Sequence, residues 1–117
     1  MAGTGFASTP PPPYFAVIFT NQRADGGDAA YVATADRMVE LAAAQPGFLG
    51  VESVRGADGL GITVSYWRDE AAIQAWRRHG EHTLARERGR NEWYQHFELR
   101  VAKVERAYGG PVRQEGP

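Results

Sequence analysis

An α+β chain with the element order β-α-β-β-α-β is what this sequence predicts, and three observations predict it. Two apolar runs joined by Gly56-Ala57-Asp58-Gly59 read as a hairpin in the middle of the chain. Apolar residues at helical spacing stand on each side of that hairpin. A β-branched and aromatic run stands at each outer end.

The first strand is YFAVIFTNQ, residues 14–22. It is apolar on both faces, with Phe15, Val17 and Phe19 pointing one way and Ala16 and Ile18 the other. Gly26-Gly27 breaks the chain, and Asp28 is placed to cap a helix running to about Gln45. Tyr31, Ala35, Met38 and Ala42 recur at helical spacing there, with Val39 and Leu41 beside them. Pro46-Gly47 stops that helix. FLGVESVR at 48–55 and the run at 60–67 are the two hairpin strands. Asp69 then caps a second helix, with Glu70 in its first turn favouring the helix dipole. Ala72, Ile73 and Trp76 form its apolar stripe. Gly80 is expected to interrupt that helix, with a short helical piece over 81–88 ended by Gly89. Residues 93–108 form the last strand, opened by Trp93 and Tyr94. This order is the ferredoxin-like βαββαβ arrangement: an antiparallel sheet with two helices on one face.

Such a sheet leaves one face without helices, and that face is ordinarily polar. Here the first strand is apolar on both sides. The last carries Phe97, Leu99 and Val101 on one face and Ala102, Val104 and Tyr108 on the other. The uncovered face therefore calls for a partner, and a second copy of the same sheet is the simplest one.

Bulk properties narrow the classes. The chain has 117 residues, 43% hydrophobic and 23% charged, enough for one domain with a real core. That domain spans 14–108, between a proline-rich tail at 1–13 and a tail at 109–117, both expected to be disordered. A net charge of −1 implies no nucleic-acid partner. No cysteine is present, which excludes disulfides, thiolate catalysis and cysteine-based zinc sites. No apolar run spans a bilayer and no secretory signal opens the chain, so a soluble cytoplasmic protein is expected. Nucleotide-binding, metalloprotease and hydrolase motifs are absent.

Chemistry concentrates in GLGITVSYWRDEAAIQAWRRHGEH, residues 59–82. Trp67 ends a strand and Trp76 rides the following helix, so both can wall a space for a ring; as core residues they would equally fill one. His79 and His82 are three apart on one helical face, a weak metal signal without further ligands, for which His96 and Glu81 are the remote candidates. His82 follows the expected break at Gly80 and titrates near neutrality, which suits general acid–base work. Arg77, Arg78, Arg86, Arg88 and Arg90 alternate with Glu81, Glu87 and Glu92, the pattern of a solvated, ion-paired face.

The fold order, the PGFLG at 46–50, the Tyr66-Trp67 strand end and the Trp76 helix together resemble the antibiotic biosynthesis monooxygenase family over residues 14–108. The resemblance implies a dimeric α/β barrel built from two ferredoxin-like sheets. The family's heme-degrading branch is similar in an Asn–Trp–His site. Asn21 falls near its first position and Trp76 matches its second, but Arg86 stands ten residues after Trp76, where the iron-ligating histidine belongs. A guanidinium cannot ligate iron, so heme would need His82 or His79 as a displaced ligand. The family's cofactor-independent members oxidise electron-rich aromatics using the substrate's own reactivity. The implied function is a cofactor-free monooxygenase acting on a small aromatic or hydrophobic ligand. Asn21 would be the polar anchor, His82 the acid–base group, and Trp67 and Trp76 the lining, with no flavin or metal. A dimeric module that binds such a ligand without chemistry is the alternative, and heme binding a further one.

Overall fold

The computed structural model describes residues 5–23, 28–87 and 94–110; side chains are described for residues 5–23, 36–80 and 95–110. The order is β1 (Tyr14–Arg23), α1 (Asp28–Ala43), β2 (Phe48–Arg55), β3 (Leu60–Trp67), α2 (Glu70–Glu87) and β4 (Tyr94–Val104). The strands form one antiparallel sheet in the spatial order β2-β3-β1-β4. This is the expected ferredoxin-like fold, and the hairpin strands begin and end where the sequence places them.

Register assigns the two faces. Phe15 pairs with Trp67, Val17 with Ser65, Phe19 with Thr63 and Asn21 with Gly61. Across the hairpin, Ser53 pairs with Thr63 and Arg55 with Gly61. These residues face the helices, because Val17 and Trp67 join Ala42 of α1 and Ala72 and Ile73 of α2 in the buried core. Phe15, Phe48 and Trp76 pack around that cluster. The other face carries Tyr14, Ala16, Ile18, Ile62, Val64, Tyr66, Gly50, Glu52 and Val54.

Local chemistry accounts for the junctions. The Asp58 carboxylate accepts the Leu60 N–H at 3.1 Å, and Gly59 takes a φ of +91° that closes the hairpin turn. Gly47 has a φ of +89°, and its carbonyl accepts the Arg68 N–H at 2.8 Å. A Cβ on Gly47 would stand 2.7 Å from the Ala72 Cβ, so this glycine lets α2 close onto the start of β2. Asp69 caps α2 as expected: its Oδ1 accepts the Ala72 N–H at 2.9 Å.

Two expectations are corrected. Gly80 does not interrupt α2, which runs unbroken from Glu70 to Glu87. Gly80 is buried where the helices meet, and a Cβ there would lie 3.2 Å from Met38 Cε and 3.6 Å from Trp76 Cζ2. Its missing side chain serves close packing, which outweighs a helix-propensity cost of about 1 kcal/mol. The last strand ends at Val104, so Tyr108 lies beyond the ladder and is almost fully exposed. Trp93 falls outside the described residues.

Residues 5–13 carry no helix or strand, yet they touch the face that lacks helices. The Ala7 N–H donates to Glu52 Oε2 at 3.0 Å, and Thr9 Oγ1 donates to the Tyr14 hydroxyl at 3.1 Å. A Cβ on Gly50 would meet the Ala7 Cβ at 2.9 Å. The two glycines of the PGFLG run thus make room on opposite faces, Gly47 for α2 and Gly50 for the N-terminal segment. Among the described residues no helix is long and apolar enough to cross a membrane.

Candidate functional site

The helix-facing side of the sheet is apolar at one end and polar at the other. At the apolar end Trp67 is fully buried, at 0% exposure. Phe48 meets its ring edge-on at 5.4 Å, and Trp76 stacks on it at 6.1 Å with 20° between planes. Its indole N–H donates to Ser65 Oγ at 2.9 Å, so no polar atom of this side chain is left unsatisfied. Trp76 is half-buried. Moving along the strands, hydroxyls replace hydrocarbon: Ser65, then Thr63, whose Oγ1 lies 2.7 Å from Ser53 Oγ.

The polar end is built on Asn21, the one polar side chain among the described residues that is buried, at 1% exposure. Its Oδ1 accepts Nη2 of Arg55 at 2.6 Å. Arg55 also donates through Nη1 to the Gly59 carbonyl. The Nδ2 of Asn21 has no acceptor among the described residues. A buried amide donor without an acceptor costs roughly 1–3 kcal/mol, so it marks a position that a ligand oxygen would satisfy. Phe19 and Phe97 pack beside it with ring centroids 5.6 Å apart.

The predicted site residues fall into two groups. Trp67 and Trp76 are brought together. Asn21 is not beside them: its register partner Gly61 stands six positions from Trp67 on β3, about 20 Å along the strand. His82 lies in α2, and its side chain is outside the described residues. With α2 unbroken, the helix interruption that singled out His82 is gone.

The metal and heme readings find little among the described side chains. His79 is exposed. His96 faces away from the helices, paired with Glu98 at 2.9 Å and registered with Gln22 of the opposite face. No group of three or more histidine, aspartate or glutamate side chains among the described residues is placed to hold a metal ion. Neither described histidine faces the space between helices and sheet, so the described side chains do not fit an iron porphyrin.

Sequence reasoning missed Arg55 and Gly61. A four-residue turn over 56–59 would set Arg55 opposite Leu60; the observed register sets it opposite Gly61, and Asn21 continues that row on the far side of β3.

A ferredoxin-like α+β domain with a buried amide on its helix-facing side is the class defined by this geometry. Residues 14–88 match the family model described as antibiotic biosynthesis monooxygenase, and the chain belongs to that family. The uncharacterized protein YqjZ of Bacillus subtilis is 59% identical over 100 residues, covering 86% of this chain and 87% of its own. The jasmonate monooxygenase ABM of Pyricularia oryzae is 31% identical over 94 residues, covering 77% of this chain but only 43% of the fungal protein. In fold the chain is similar to SnoaB, a cofactor-independent oxygenase from Streptomyces nogalater. The TM-score is 0.63 at 14% identity, with 82% of this chain and 97% of SnoaB covered.

Proposed function

We propose that the protein is a cofactor-independent, monooxygenase-like enzyme. It takes a small aromatic or hydrophobic substrate between α2 and the polar end of the sheet. The observation that carries this reading is Asn21: a fully enclosed amide with a donor unspent among the described residues, in a chain of a monooxygenase family.

Chain direction supports His82 as its partner. β3 ends at Trp67, and α2 must return across the sheet to start β4, which runs parallel to β3. His82 is twelve residues past the start of α2, about 18 Å along the helix axis. Asn21 is about 20 Å back along the strands. The two positions therefore come to the same end of the sheet. Trp76 stands between the ends, stacked on Trp67, and walls the path of a ring.

In the reaction we assign, Asn21 donates to the substrate's carbonyl or phenolate oxygen, and His82 takes the proton from the activated carbon. The carbanion reduces dioxygen. One oxygen atom replaces the two hydrogens of a ring methylene as a carbonyl, and the other leaves as water. The active unit is a homodimer through the sheet face without helices.

Oxygen uptake with enolisable tricyclic ketones such as anthrone tests this. Turnover above the uncatalysed rate is expected, with His82→Ala lowering it roughly 10²–10⁴-fold. Ring binding without oxygen uptake would replace the enzyme with a ligand-binding module. A stoichiometric Soret shift on heme titration, abolished by His82→Ala, would replace it with a heme protein.

A further inference from the structure

We infer that Arg55 is a positioning residue: it fixes Asn21 so that the site offers a hydrogen-bond donor and selects ligands bearing an acceptor oxygen. The inference rests on the reading above that a ligand reaches Asn21.

Three residues in one row across the sheet make the device. Arg55 on β2, Gly61 on β3 and Asn21 on β1 are register partners in sequence. Arg55 and Asn21 are two strands apart, about 9.5 Å between backbones, yet their side chains meet at 2.6 Å. The guanidinium spans that gap by lying over Gly61. A Cβ at Gly61 would stand 2.8 Å from Cζ of Arg55 and 3.0 Å from both terminal nitrogens. Any other residue at 61 therefore displaces the guanidinium. The Gly59 carbonyl holds Nη1 and so sets the direction of the fork.

The consequence is chemical. A primary amide can turn over and exchange its oxygen for its nitrogen at little cost. A guanidinium carries only donors, so the edge of Asn21 that faces Arg55 must be Oδ1. Nδ2 is then forced outward as a donor. Without Arg55 the amide could present either edge, and the site would lose its preference for an acceptor.

The test has two arms. The first needs no ligand. In two-dimensional NMR of the full-length protein, the two Asn21 side-chain amide protons should stand away from free-amide shifts and exchange slowly with solvent. In Gly61→Ala, which keeps both residues but displaces the guanidinium, and in Arg55→Met, the two should approach free-amide shifts. The second arm compares menadione, whose two carbonyls only accept, with 2-methylnaphthalene, a ring of similar shape without oxygen. Wild type should prefer menadione by roughly 2–10-fold beyond their partition difference, the worth of one hydrogen bond. Asn21→Asp keeps the contact with Arg55 as an ion pair but has no donor, and should abolish the preference. So should Gly61→Ala. Unchanged Asn21 amide shifts in both Gly61→Ala and Arg55→Met would overturn the positioning role. Equal preference in wild type and Asn21→Asp would overturn the donor selection. Binding of neither probe would instead overturn the ligand site, a different failure that the first arm separates.

Discussion

Trp67 and Trp76 form one stack with unequal exposure, and that inequality sets their energetics. Trp67 is enclosed and its N–H is spent on Ser65, so Trp67→Ala should cost about 3–5 kcal/mol in a urea titration. Trp76 keeps part of its ring exposed, so Trp76→Ala should cost clearly less. Equal costs would mean that Trp76 is as much core as Trp67, which would remove it as a ligand wall. On the opposite face, burial and the hydrogen bond to Glu52 push the Tyr66 phenol up to about 12. The folded state favours the neutral phenol. Its contribution is complete below pH about 10, where the unfolded phenol is also neutral, and is lost as pH rises toward about 12. In a tyrosinate absorbance titration Tyr66 should ionise late, and Glu52→Gln should bring it only part of the way back, because burial remains. The stripe of Ala72, Ile73 and Trp76 was legible because helical spacing alone places those residues inward. Arg55 was not, because a cation at a strand end reads as solvated until the neighbouring strand's register is known.

At the scale of elements, glycine and aspartate decide where chains start, stop and touch. Asp69 holds the first turn of α2 through the Ala72 N–H, so Asp69→Ala should cost about 1 kcal/mol. Gly47→Ala should cost more, because it meets two obstacles at once: a φ of +89° and an Ala72 Cβ only 2.7 Å away. Thermal unfolding of the two variants ranks them, and a smaller shift for Gly47→Ala would mean that α2 slides away from β2 without penalty. The element order was readable from periodicity and turn chemistry, since each helix and strand has its own spacing and its own stop signal. The interruption expected at Gly80 was a misreading with a physical cause. Sequence shows that glycine weakens a helix, but it does not show that Met38 of α1 and Trp76 crowd that position. A glycine required by packing and a glycine that ends a helix look the same until the second helix is in place.

For the whole molecule, the question is what covers the sheet face without helices. The N-terminal segment already shields one end, where Tyr14 and Ala16 are buried beside Tyr66 and Glu52. The remaining face is apolar and open: Val54 is 69% exposed, Leu60 47% and Ile62 40%, with Ile18 and Val64 half-buried between them. These five are contiguous across β2, β3 and β1 by register. Left in water they would form a patch of the kind that marks an interface. The proposed homodimer places a second such face against it, and symmetry then sets each patch opposite its own copy. Sedimentation equilibrium should give a dimer at micromolar concentration. Ile62→Lys puts a charge in the middle of the buried patch on both copies, and should weaken the dimer by about 2 kcal/mol or more, roughly thirtyfold in dissociation constant. The far-ultraviolet circular dichroism should not change, because residue 62 already tolerates water in the single chain. A stable wild-type monomer would sink the dimer outright. A dimer that Ile62→Lys leaves intact would move the interface off this face, most directly to the strip of Leu99 and Val101 on β4, which are 43% and 45% exposed.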